Sequence, residues 1–131
     1  MRNISITAAF LAALLVAAVA LAANDKVVVS FVSQASSGVN GELTLNAQPS
    51  GGTMIHGRVQ GLEPNVEYVS QQFTDGACAS SPGTELVSFK SNPMGKAVFT
   101  AKSNQKIADM KSISLQLKSD MSLKACATVN P

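Results

Sequence analysis

His56 is the only imidazole in 131 residues, and it stands two positions from Met54 in the stretch TMIHGRVQ. Residues two apart on a strand share a face, so a thioether and an imidazole would sit side by side. That pair could begin a copper(I) site completed by Met94, Met110 or Met121. A serine hydrolase has weaker support: no Gly-x-Ser-x-Gly is present, and His56 would have to be the base. Glu67, Asp75 and Glu85 offer carboxylates for acid–base work, but nothing in their spacing brings them to one pocket. Cys78 and Cys126 lack the further ligands at short spacing that a zinc site needs. The plainer reading is a surface histidine beside a partly covered methionine, and solvated carboxylates.

The chain that must position these groups begins with a segment that reads as a leader. Arg2 precedes an apolar run, Ala8–Ala23, that ends in Ala20-Leu21-Ala22, the pattern of a secretory signal peptide cleaved near Ala22/Ala23. An uncleaved anchor is the competing reading, and the run is barely long enough to span a bilayer. Residues 1–23 are therefore expected to be removed, leaving a single domain over 24–131. It is expected to be secreted, extracellular or periplasmic, without stable membrane insertion after cleavage. The remaining chain has nine Lys/Arg against eight Asp/Glu, spread along its length, and one tyrosine. No basic patch with aromatic platforms is present, which argues against nucleic acid. In an exported chain two cysteines read as one disulfide, Cys78–Cys126. It would close a loop of roughly 49 residues, worth about 4 kcal/mol in the chain-entropy account.

Between the turn signals lie short alternating runs. KVVVSFVS (26–33) is β-branched, and ELTLNA (42–47) places Leu43, Leu45 and Ala47 on one face. TMIHGRVQ (53–60) sends Ile55, Gly57 and Val59 inward and Met54, His56, Arg58 and Gln60 outward. After a Gly61-Leu62-Glu63-Pro64 corner, strands are expected over 67–73, 85–90, 96–102, 111–118 and 123–129. In the seventh, Ile113, Leu115 and Leu117 face inward and Ser112, Ser114 and Gln116 outward. Ser36-Ser37-Gly38 with Asn40-Gly41, Pro49–Gly52 and Ser91–Gly95 supply turns. Eight strands with turns about every ten residues predict an all-β Greek-key sandwich or flattened barrel.

The order of these features resembles the copper/zinc superoxide dismutase family over nearly the whole domain. Gly57–Pro64 resembles that family's strand ending in Gly-Leu-x-Pro, and Cys78 stands where its loop cysteine stands. Leu123-Lys124-Ala125-Cys126 resembles its final Arg-Leu-Ala-Cys, whose cysteine pairs with the loop cysteine. The resemblance implies an eight-stranded Greek-key barrel with copper ligands near Ser70, Gln72 and Gln116. None of these three is histidine, and the connection from Cys78 to Glu85 is too short for the zinc loop. Leu123 occupies the position of the family's superoxide-attracting arginine. One histidine cannot supply the several imidazoles that copper redox chemistry converges on one metal, so dismutation is excluded by ligand count.

Leu62–Tyr68 also resembles the Leu-x-Pro-x-x-x-Tyr corner of fibronectin type III modules, in which the tyrosine is structural. Both resemblances lead to the same expectation, a non-enzymatic scaffold or binding domain without a cofactor. Its partner, an unidentified protein or small molecule, would be met by Ser70, Gln72, Gln116 and the loop Thr74–Gly83. The alternatives are a copper-binding protein using Met54 and His56, and a fibronectin-like adhesion or interaction module.

Overall fold

Alternation of apolar and polar residues at period two gives each strand one buried side, and a barrel lets all eight bury that side together. A computed structural model describes residues 26–131; the expected signal peptide lies outside the described residues. The strands are β1 (Lys26–Ser33), β2 (Asn40–Ala47), β3 (Thr53–Gln60), β4 (Glu67–Phe73), β5 (Thr84–Lys90), β6 (Ala97–Ser103), β7 (Ser112–Leu117) and β8 (Leu123–Thr128). All pairings are antiparallel, in the order β5-β4-β7-β8-β1-β2-β3-β6. β5 and β6 are joined by a hairpin but share no ladder, so the barrel is nearly closed. One wall is β1-β2-β3-β6 and the other β5-β4-β7-β8. The β3–β4 and β6–β7 connections pass between walls, which makes the connectivity a Greek key.

Leu43, Leu45, Ile55, Ile113 and Leu115 are fully buried at the centre of the core. Tyr68, Phe89 and Phe99 stack in series, with centroid separations of 6.0 and 4.7 Å, where the walls meet at the β5–β6 seam. The Tyr68 hydroxyl accepts the Glu63 amide proton at 2.9 Å, so it closes the Leu62-Glu63-Pro64 corner from below. Burial of the ring raises the phenol's pKa, and the phenol stays neutral there.

Three local expectations are corrected. Asn40-Gly41 is not a turn but the start of β2, where Gly41 pairs with Phe31 and Val59. A Cβ at Gly41 would strike the Arg58 carbonyl oxygen, so glycine is required by close backbone approach rather than by a bend. The chain instead reverses through Ala35 and Ser36, both at positive φ. Ala47 is exposed because β2 ends there at the barrel rim. Ser112, Ser114 and Gln116 do point away from the core, yet all three are buried.

Candidate functional site

The segment Thr74–Gly83 folds back over the outer face of β4, β7 and β8 at Ser112 and Cys126, and the β7–β8 turn closes over Gln116 through the Met121 carbonyl. In register, Gln116 lies opposite Val69, Ser114 opposite Cys126, and Ser112 opposite both Phe73 and Thr128. The outer face is therefore a mixed patch of Val69, Phe73, Cys126 and three polar residues. The disulfide Cys78–Cys126 pins the segment to it, packed with Phe73 and Leu123 in a small apolar cluster separate from the main core.

The polar groups beneath are consumed internally. Ser112 Oγ donates to the Asp75 carbonyl at 2.5 Å and accepts the Cys78 amide at 3.0 Å. Ser114 Oγ accepts the Gln71 amide at 3.1 Å and donates to Gln116 Oε1 at 2.6 Å. Gln116 Nε2 donates to the Met121 carbonyl at 3.1 Å. Thr128 Oγ1 donates to the Gly76 carbonyl at 2.7 Å. The bonds of Ser112, Ser114 and Gln116 satisfy groups that would otherwise be buried unpaired at a cost of about 1–3 kcal/mol each; that of Thr128 is exposed.

Ser70 and Gln72 do not join Gln116 on one face. Gln72 pairs with Ile113 and so, with Ser70 and Tyr68, points into the barrel, whereas Gln116 points out with Val69. Ser70 is fully buried, its Oγ donating to the Ser114 carbonyl at 2.8 Å, and Gln72 Oε1 accepts from Ser103 Oγ at 2.6 Å. The expected three-residue binding face is thus split across the thickness of a sheet. Its members are engaged within the domain, and the residues do not fit the copper set that the resemblance implies.

Sequence reasoning missed the role of Asp75, which it treated as a solvated charge. The Asp75 carboxylate accepts backbone amide protons from Ala77 (3.0 Å), Ala79 (3.0 Å) and Ser80 (2.8 Å), and so organises the turn that carries Cys78. The Asp-Gly pair at 75–76 followed by small residues was the available signal. These bonds, the Ser80 amide first, hold its pKa well below the usual carboxylate range. A depressed folded pKa contributes stability above the unfolded value, near 4, that is lost as pH falls toward the folded one. We expect the melting temperature to fall between about pH 5 and 2, and Asp75→Asn to remove part of that dependence. Equal slopes in pH-dependent melting of the two proteins would contradict this.

The other carboxylates do not converge with it. Glu67 pairs with Lys118 at 3.7 Å at the far end of β4, roughly 25 Å from Asp75 along the strand. Glu85 lies opposite Gln71 and takes a long hydrogen bond from Ser88 Oγ at 3.4 Å.

Met54 and His56 do share the outer face of the opposite wall. His56 is exposed, with Nδ1 3.1 Å from Thr100 Oγ1. The other methionines are elsewhere: Met110 is buried in the core, Met121 lies in the β7–β8 turn, and Met94 tips the β5–β6 hairpin. Since Val59 pairs with Ala97, Met94 lies beyond the far end of β3, roughly 20 Å from Met54 by strand rise. Met54 is itself opposite Lys102, a cation. Among the described residues no group of three or more His, Cys, Asp or Glu gathers at metal-binding distance. A groove of about 490 Å³ at the barrel end is lined by Val27, Ala47, Ile107, Ala108, Asn130 and Lys106 among others, and Lys106 is its only charged group.

No protein-family model matches this chain, and no curated protein matches it.

Proposed function

We propose that this protein is an exported, non-enzymatic scaffold or binding domain. Its barrel is similar to that of copper/zinc superoxide dismutase, without that family's metal sites. One observation carries the reading: Ser70, Gln72 and Gln116, where the resemblance would place copper ligands, lie on opposite sides of one sheet, and each is hydrogen-bonded within the domain. Ser112, Ser114 and Gln116 on the outer face are buried and hydrogen-bonded within the domain. A buried side chain already engaged inside the domain is not presented to a substrate or metal. The Greek-key strand order and the pairing of Cys78 with Cys126 support the kinship. A rigid barrel with short polar loops is a common support for recognition surfaces, and fold alone does not choose the partner. The tyrosine corner at Tyr68 supports the fibronectin-like alternative only locally.

The test is elemental analysis of the mature protein from its native compartment, with intact mass and a thiol count. We expect copper and zinc far below one per chain, a mass beginning at Ala23 or Asn24, and two thiols appearing only after reduction. Stoichiometric copper would overturn the proposal and direct attention to Met54 and His56. A mass that includes residues 1–22 would remove the exported reading.

A further inference from the structure

The two outer walls of the barrel are treated differently. The β4-β7-β8 face is covered by the chain's own Thr74–Gly83 segment and β7–β8 turn, while the outer face of β1-β2-β3-β6 is bare. Two of the large apolar side chains most exposed to solvent lie on this bare wall: Val28 at 54% and Val98 at 59%. Strand propensity alone accounts for valine in such positions. It does not account for the charges at the centre. Glu42 and Arg58 are direct partners across β2 and β3, yet they do not close into an ion pair. The single ion pair among the described residues is Lys118–Glu67. Glu42 and Arg58 instead flank a shallow depression of about 390 Å³, shared with Ser30, Asn40 and Gln60.

We infer that this wall is a self-association surface, and that its occupant is the same wall of a second copy. Place a two-fold axis parallel to the strands, between β2 and β3. β2 then lies over the mate's β3, and each register row lies over itself. The row of Ser30, Glu42, Arg58 and Val98 follows from the pairings of β1, β2, β3 and β6. On its mate this row sets Glu42 against Arg58 and Arg58 against Glu42, closing two equivalent ion pairs. The same operation sets Thr44 over His56 and Val28 over Thr100, and covers Val98 at the flank. The central row of the wall is self-complementary in charge, which an isologous contact requires at its middle. Lys26 and Lys102 meet only at the rim, where solvent screens their repulsion. Four strands of about eight residues span about 15–20 by 25 Å, a footprint of roughly 400–500 Å² per partner, the size of a weak, reversible interface. This inference is independent of the metal reading above.

Sedimentation equilibrium of the mature protein over a graded concentration series tests it. We expect a monomer–dimer equilibrium. Glu42→Arg or Arg58→Glu alone should weaken association at least tenfold, with circular dichroism unchanged. An equimolar mixture of these two variants should dimerise again, because each then meets its opposite charge. A wild type that stays monomeric throughout the series overturns the inference. So does a dimer indifferent to both reversals, which would place the contact on another surface. Single variants that weaken association without recovery on mixing would refute the two-fold geometry.

Discussion

Replacing Cys78 and Cys126 together by alanine is expected to lower the stability of the domain by about 4 kcal/mol. The two residues are 48 apart in sequence, and cross-linking a loop of that length removes much of the freedom of the unfolded chain. For a domain of about 100 residues this corresponds to a fall in melting temperature of roughly 20 °C. The location makes the effect larger than a surface staple would have. The bond holds the Thr74–Gly83 segment over Phe73 and Ser112, and the apolar cluster at that point contains little besides the disulfide, Phe73 and Leu123. Without it, the segment is tied to the barrel mainly by the two hydrogen bonds of Ser112 and the one from Thr128 to Gly76. Amide exchange in Thr74–Gly83 should therefore accelerate more than exchange in β2 or β3. Thermal melting of the double variant, and of the wild type after reduction, checks the first claim. A loss below about 1 kcal/mol in both would show that the loop is held by other means.

How far the sequence reveals this arrangement depends on which physical interaction is being read. Strand alternation marks Leu43 and Leu45, Ile55 and Val59, and Ile113 and Leu115 as inward residues. The structure buries every one of them. The two-cysteine reading likewise leads to the observed bond. Alternation tells which side chains share a side, but not what covers that side. Ser112, Ser114 and Gln116 read as a solvated row because the segments that cover them have no periodicity of their own. The grouping of Ser70 and Gln72 with Gln116 failed for a different reason. Whether two residues on neighbouring strands share a face depends on register, and a one-residue change moves a side chain to the opposite surface. Here Gln116 meets Val69, not Ser70. The role of Asp75 is hidden by chemistry rather than topology, since a carboxylate that caps backbone amides looks like any surface charge until the turn is known.

Gly57 shows how a position can contradict local preference for the sake of packing. It lies in the middle of β3, extended and inward, where β-branched residues normally do better than glycine. The Phe99 ring occupies the space its side chain would fill: a Cβ there would lie 2.6 Å from Phe99 Cε1 and 2.7 Å from Cε2. Phe99 is 5% exposed and stacks on Phe89 at 4.7 Å, so it cannot swing aside without breaking the aromatic series that joins the two walls. Gly57→Val is therefore expected to destabilise by about 2–3 kcal/mol through overpacking. Phe99→Ala should cost about 3–5 kcal/mol, combining lost burial with the cavity left behind. The decisive measurement is the double variant by chemical denaturation. With the ring gone, valine at 57 fills part of the vacated volume, and the combined loss should fall short of the sum by about 2 kcal/mol, within the range for residues in contact. Strict additivity would mean that glycine at 57 answers some demand other than the ring of Phe99.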